Sequence, residues 1–236
     1  ETSHQLRTPI TIVRGHAELL RPFVSGRADS DLHLDIILEE LDRMARLTER
    51  MLVLACAGDD EFLVPVPVSI DALGIEIAER WRPTAPRSWA VDCLDDTTIV
   101  VDAPRLVMAI DALVENAVQH TATGDEIRLG AECVAGEAVF TVQDSGRGVT
   151  EDELRSLRWA LYTDSSGGPR RQGGTGLGLR IATAIAAAHG GYLTVSGRRG
   201  FGCTFRVHVP LEGTSARSVV TGAAMTSSFS ERFPTS

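Results

Sequence analysis

Apolar residues recur at alternating steps of four and three along the first quarter of the chain. They stand at Leu6, Ile10, Val13, Ala17 and Leu20, then after a break at Leu34, Leu38, Leu41, Ala45, Thr48, Leu52 and Ala55. That period draws one narrow stripe along a helix and has no counterpart on a strand, so both segments are predicted to be seam-forming helices. The stretch VSGRADS (24–30) between them carries a glycine and offers Asp29 or Ser30 as cap of the second helix. An αα-hairpin over residues 1–57 is the expected result. A single such hairpin buries too little to stand alone, so two copies are expected to pair as a four-helix bundle. A plain coiled-coil spacer is the alternative that the spacing leaves open.

The pattern changes after GDDEFLVPVPV (58–68), where two prolines end the helical period. Residues 58–66 read as a linker. Beyond it Ile127, Leu129, Ala131 and Cys133 alternate as a half-buried strand does, and Phe205, Val207 and Val209 do the same. Helical spacing returns at Leu106, Ile110, Leu113 and Ala117, and an alanine-rich helix is predicted from Leu177 to Ala188. Helices beside an antiparallel-leaning sheet give an α+β layer pair over 67–212. Residues 213–236 are rich in Ser, Thr, Gly and Ala without a period and read as a disordered tail or linker.

Composition removes several functions. All 23 basic residues among the 236 are arginine, which excludes a P-loop lysine, a Schiff base and a lysine general base. The net charge of −9 argues against a nucleic-acid surface. Cys56, Cys93, Cys133 and Cys203 are dispersed, with no CxxC and no clustered histidine, so neither zinc nor a disulfide framework is indicated. No apolar run reaches the roughly 20 residues of a membrane span. Without a signal-peptide pattern either, this part of the chain is expected to be cytoplasmic and free of membrane contact. It opens on Glu1 rather than methionine, and the expectation is a fragment whose parent carries a membrane-anchored sensor upstream.

Two clusters of residues suggest chemistry. His4 points away from the centre of the Leu6–Leu20 stripe, and Pro9 removes the N–H that the carbonyl of Gln5 would accept, which tends to bend a helix one turn beyond the imidazole. Such a bend fits a hinge, or else only a helix start. In the second region VFTVQDSGRGV (139–149) reads as a strand ending at Asp144, a candidate acceptor for an adenine amino group. Gly146 and Gly148 follow, expected to let the backbone approach a ligand. GGTGLGL (173–179) puts glycines before a helix N-terminus, where free N–H groups favour phosphate. It is not the dinucleotide fingerprint, because Leu179 stands where GxGxxG needs a small residue.

In combination these segments are specific. SHQLRTPITIVRGHAELL, RLVMAIDALVENAVQHT, DSGRGV, GGTGLGL and GFGCTF, in that order, resemble the H, N, G1, G2 and G3 boxes of a sensor histidine kinase transmitter, over residues 1 to about 211. HGG (189–191) and the closing Val209-Pro210 also stand where that family has them. The resemblance implies a dimerisation and histidine-phosphotransfer hairpin followed by a Bergerat-type ATP-binding domain, an α/β sandwich. It implies ATP and Mg2+ as cofactors, a homodimer, and a response regulator receiver domain as partner. The full-length protein would be anchored in the bacterial cell membrane.

Position by position, the resemblance makes His4 the phosphoacceptor, with Gln5 beside it to hold the imidazole and Thr8 to orient the water of a phosphatase step. Asn116 becomes the magnesium ligand and Asp144 the adenine anchor. Gln119 and His120 follow on the same helix, and Thr204 lies in the G3 box. Gly146, Gly148, Gly174, Gly176 and Gly178, with Thr175 and Leu177, shape the nucleotide pocket, and 158–175 forms its lid. Three departures stand out. Gln5 replaces the usual acid and cannot take a proton, Ala112 replaces the first N-box asparagine, and Gln119 stands where a base is usual. LRWALY (157–162) also lacks the paired phenylalanines of the F box. Arg170 and Arg171 either restore positive charge at the phosphates or are a solvated pair. An active autophosphorylating kinase is the expectation, with a weakened, kinase-like dimeric scaffold as the alternative.

Overall fold

The computed structural model describes residues 11–21, 28–59, 61–93, 97–162 and 177–211. Helix α1 (11–21) and helix α2 (Ala28–Cys56) form the hairpin. Arg14 pairs with Asp42 at 2.9 Å and Arg21 with Asp35, contacts across the hairpin that follow its antiparallel register. Helix α2 already includes Asp29 and Ser30 in its first turn, so neither occupies the capping position expected of it. Ala17 and Leu34 are buried, whereas Ile12, Val13, Leu19 and Leu20 of α1 and Ile36, Ile37, Met44 and Met51 of α2 stay exposed. On the predicted seam Leu38, Leu41, Ala45, Thr48 and Leu52 are half-buried and Val13, Leu20 and Ala55 exposed, whereas Ile12, Leu19, Ile36, Ile37, Met44 and Met51 lie outside it.

Beyond the hairpin lies an α+β layer pair. Strands β1 (Val66–Ser69) and β3 (Thr98–Val101) form a small antiparallel sheet. The main sheet has the order β2-β4-β5-β7-β6, built from β2 (Ser88–Cys93), β4 (Glu126–Val134), β5 (Glu137–Asp144), β6 (Tyr192–Gly197) and β7 (Cys203–Pro210). Only the β2–β4 pair is parallel. Helices α3 (Ile70–Trp81), α4 (Ala103–His120), α5 (Glu151–Tyr162) and α6 (Leu177–Ala188) complete the unit. Ile127, Leu129, Ala131, Phe205, Val207 and Val209 turn inward to meet Leu106, Ile110, Leu113 and Ala117 of α4 and Ile181 and Ile185 of α6 in one core. The two periodicities in the sequence are the two sides of this contact.

Helix ends show why these segments start and stop where they do. Asp102 caps α4, its Oδ1 accepting the Arg105 N–H at 3.0 Å, with Pro104 in the first turn. Helix α6 closes in a Schellman arrangement, the Gly191 N–H bonding Ala186 O and the Gly190 N–H bonding Ala187 O. His189 then joins the two helices. Its Nδ1–H donates to Ile185 O at 2.8 Å and its Nε2 accepts the Asp102 N–H at 3.1 Å. Burial lowers its pKa, as expected for an imidazole held in this neutral tautomer.

The stretch expected to be a linker is fastened down. Phe62 is 6 % exposed and lies in the core, with the Arg105 guanidinium 4.5 Å above its ring. The Val64 N–H donates to the second Asp102 carboxylate oxygen at 2.9 Å. Val53, in the last turn of α2, is fully buried in the same core. The α+β unit therefore includes the end of α2. Among the described residues no helix is long and apolar enough to cross a membrane.

Candidate functional site

A cavity opens where the C-terminal half of α4 meets the end of β5. Asn116 and His120 of α4, Asp144 of β5, the loop residues Arg147, Gly148 and Val149, Leu157 of α5, and Cys203 and Phe205 of β7 line it. Asp144 is its most constrained group. It is 3 % exposed, and its carboxylate accepts backbone N–H bonds from Gly146, at 3.0 Å, and from Cys203. Burial raises its pKa above the ordinary carboxylate range, opposed by those two N–H groups and by His120. Two bonds leave acceptor capacity on the two oxygens. A buried carboxylate with spare lone pairs beside an apolar wall of Val149, Leu157 and Phe205 suits a flat heterocycle that presents an N–H donor.

The glycines of the loop also allow close packing within the protein. A Cβ on Gly146 would lie 2.2 Å from the carbonyl oxygen of His120, and one on Gly148, at φ +63°, would lie 2.0 Å from Arg198 O. They let the loop pack against α4 and the β6–β7 hairpin beside Asp144, and Gly148 lines the cavity. The chain then enters α5 through a reciprocal cap. The Thr150 N–H donates to Glu153 Oε2 at 2.9 Å and the Glu153 N–H donates to Thr150 Oγ1 at 3.3 Å. One turn further α5 delivers Leu157 to the cavity wall.

Of the residues singled out in the sequence, the cavity brings together Asn116, His120, Asp144 and Gly148, with Gly146 directly behind. Gln119 is exposed and does not line it. Thr204 alternates with Cys203 and Phe205 along β7, so the pleat carries it to the opposite face of the sheet, away from the site expected for it. Gly178 packs on Ala112, the Cβ position lying 3.4 Å from the Ala112 carbonyl oxygen, and Leu177 beside it packs against the core. Ala112 is therefore a helix-contact residue where α6 crosses α4, and an asparagine there would be buried in that contact. Residues 158–162, expected to open the lid, are the last turn of α5; Leu161 is buried and Arg158 Nε donates to Val195 O. His4, Gln5, Thr8, Pro9, Arg170, Arg171, Gly173, Gly174, Thr175 and Gly176, and the tail from 213, lie outside the described residues.

Sequence reasoning missed Arg147, Val149, Leu157, Cys203 and Phe205. The alternation that marked Phe205 as inward would also have selected Cys203, two residues earlier on the same face. Among the described residues no group of three or more His, Cys, Asp and Glu side chains could hold a metal. A magnesium ion is compatible with this donor set because it takes only one or two protein oxygens beside substrate phosphates and water, and the Asn116 amide oxygen is such a donor.

Two family models match the chain. The His Kinase A (phospho-acceptor) domain covers residues 1–59, and the histidine kinase-, DNA gyrase B- and HSP90-like ATPase covers residues 101–213. Similar proteins include a probable sensor histidine kinase, TcrY, of Mycobacterium tuberculosis, 29% identical over 90% of this chain and 45% of its own length. The sensor protein DivL of Caulobacter vibrioides is 30% identical over 88% of this chain and 27% of its own, and SrrB of Staphylococcus aureus is 27% identical over 88% and 36%. The chain thus spans less than half the length of these relatives. Full-length ShkA, solved in complex with AMPPNP, superposes with a TM-score of 0.68 at 29% identity, over 91% of this chain and 46% of that one. The histidine kinase AdeS of Acinetobacter baumannii shares the fold, with a TM-score of 0.57 at 22% identity over 89% of this chain and 98% of its own. With a phosphoacceptor domain and a GHKL ATPase domain in that order, and the buried Asp144 and Asn116 on one cavity, the chain belongs to the sensor histidine kinases of two-component systems, as their transmitter region.

Proposed function

We propose that the chain is an ATP-dependent protein-histidine kinase that phosphorylates His4 and passes the phosphoryl group to an aspartate of a response regulator receiver domain. The observation that carries this reading is the buried Asp144 carboxylate, held by two backbone N–H groups on the same cavity as Asn116. Asp144 accepts the adenine amino group, while Val149, Leu157 and Phe205 exclude water from the ring. Asn116 would hold magnesium, which when bound would neutralise charge on the transferring phosphoryl group. The remaining steps belong to residues outside the described set. The neutral His4 imidazole attacks the γ-phosphorus through one nitrogen, the N–P bond forms as the bond to the bridging oxygen breaks, and ADP departs. The Gln5 carboxamide oxygen accepts the N–H of the other ring nitrogen and fixes the tautomer. Thr8 orients water for dephosphorylating the regulator.

The hairpin supports a homodimer. Val13, Leu20, Ile37, Met44 and Met51 are exposed on α1 and α2, an apolar stripe that a second copy would cover in a four-helix bundle. The domain division supported is a phosphotransfer hairpin joined, through the docked segment around Phe62, to the ATP-binding unit.

The test is incubation of the chain with magnesium and ATP radiolabelled at the γ-phosphate, beside His4→Ala and Asp144→Asn. The expected product is acid-labile and alkali-stable, absent from His4→Ala, and strongly reduced in Asp144→Asn together with nucleotide affinity. A dimer that binds ATP yet takes no label would refute the reading.

A further inference from the structure

Helix α4 ends differently from α6. Where α6 closes on two glycines, α4 runs into Thr121, whose backbone is extended (φ −117°, ψ 158°), and the Ala122 N–H turns away to the Asp125 carboxylate at 2.7 Å. Side chains therefore meet the last carbonyls of the helix. Thr121 Oγ1 donates back to Ala117 O at 2.8 Å. Arg87, from the loop between α3 and β2, supplies the rest. Its Nε–H donates to Thr121 Oγ1 at 2.9 Å, and its Nη2 donates to Thr121 O at 3.0 Å and to Val118 O at 3.3 Å. A planar cationic fork is suited to this position, because it meets several acceptors at once and faces the negative end of the helix dipole. Arg87 is itself anchored. The residue is half-buried, its N–H donates to Ala85 O at 2.8 Å, and the next N–H, of Ser88, donates to Asp125 O at 2.9 Å.

The turn held in this way is a wall of the nucleotide cavity. His120, between Val118 and Thr121, lines the cavity, as does Asn116 one turn earlier. The His120 carbonyl is also the surface on which Gly146 packs without room for a methyl group, and the Gly146 N–H donates to Asp144 Oδ1 at 3.0 Å. Contacts thus run unbroken from Arg87 through the last turn of α4 to Gly146 and Asp144. Arg87 does not line the cavity. A helix end whose carbonyls lose their partners frays, and the close packing at Gly146 passes any movement of His120 to the loop beside Asp144.

We propose that Arg87 is a positioning residue for nucleotide binding, its guanidinium tying the last turn of α4 so that His120 and the Gly146 loop keep Asp144 where the base is bound. Contacts to the base are the same before and during phosphoryl transfer, so the effect belongs to nucleotide affinity and not to the transfer step.

The inference rests on the kinase reading, and its test separates the two. Parent, Arg87→Ala, Arg87→Lys, Thr121→Val and the Arg87→Ala/Thr121→Val double variant are compared by calorimetric titration with magnesium-ADP well below their melting midpoints, and by autophosphorylation rates against ATP concentration. Arg87→Ala is expected to raise Kd for ADP and KM for ATP about five- to twentyfold, with kcat within about twofold of the parent. Arg87→Lys is expected to fall between the two, since an ammonium can meet the carbonyls without the fork. Thr121→Val is expected to weaken binding about two- to fivefold, and the double variant to be no weaker than Arg87→Ala, because both changes break one network. A role confined to folding would lower the melting midpoint and leave the affinity of the folded protein unchanged. Unchanged Kd and KM in Arg87→Ala, a fall in kcat alone, or effects of Arg87→Ala and Thr121→Val that multiply would overturn the proposal. If Arg87→Ala does not fold, Arg87→Lys and Thr121→Val decide by the same measurements, with parental affinity in both overturning it. A parent that binds ADP but takes no label overturns the kinase reading alone, and the ADP titrations still judge Arg87; a parent that binds no nucleotide overturns both.

Discussion

Phe62→Ala tests whether the segment before β1 is a linker or part of the ATP-binding unit. The ring is 6 % exposed, sits among core residues and carries the Arg105 guanidinium at 4.5 Å. Truncation of a buried phenylalanine costs about 3–5 kcal/mol, and an exposed cation–π contact adds about 0.5–1 kcal/mol. Because Phe62 lies at the margin of the core, where α2 and the chain around it can settle into the space, the lower end of that range, about 3 kcal/mol, is expected. For a chain of this size each kcal/mol moves the midpoint by about 2–4 °C, so a fall of roughly 6–12 °C follows. Tryptophan fluorescence is a suitable probe, since all three tryptophans, Trp81, Trp89 and Trp159, lie in the α+β unit. A piece beginning at residue 67 loses Val53, Phe62 and the Val64–Asp102 bond together, and is expected to be less stable than Phe62→Ala. A loss below about 1 kcal/mol in the variant, with the shorter piece as stable as the full chain, would refute the argument that the segment belongs to the core.

Two other perturbations follow from the site and its supports. Gly146→Ala drives a methyl group to within 2.2 Å of the His120 carbonyl, so the loop must move and carry Asp144 with it; nucleotide affinity should fall at least tenfold while circular dichroism stays close to that of the parent, and retained affinity would show that the loop is not what positions Asp144. His189 has a folded pKa below its unfolded value, so the unfolded chain binds more protons as pH falls through about 6.5. Stability should therefore drop between about pH 7 and pH 5.5 in urea titrations, and His189→Gln should flatten that slope.

Much of the fold was legible because it follows from local rules. The 4-3-4-3 spacing located the hairpin helices, and the Leu106–Ala117 stripe and the Leu177–Ala188 run are α4 and α6. The strand ending at Asp144 and the inward row of Phe205, Val207 and Val209 also stand as read. Long-range pairing was not legible. The short strands β1 and β3 are separated by a helix and another strand, and each has only four residues. The parallel pairing of β2 with β4 leaves no mark in either strand. Asp29 and Ser30 failed as caps because polarity alone cannot fix a helix start to the residue.

The candidate site divides along the same line. Sequence alone determined which chemical groups are available: a histidine box, an amide at Asn116, a carboxylate at the end of a strand, and glycines where only glycine fits. Such choices depend on a residue and its near neighbours in the chain. Tertiary structure decided which of them meet. It buried Asp144 against the Cys203 and Gly146 N–H groups, turned Thr204 to the far face, assigned Gly146 to the His120 carbonyl, and joined Arg50 to Glu115 across 65 positions of sequence. Contacts of that kind depend on how sheet and helices stack, and no local period encodes the stacking.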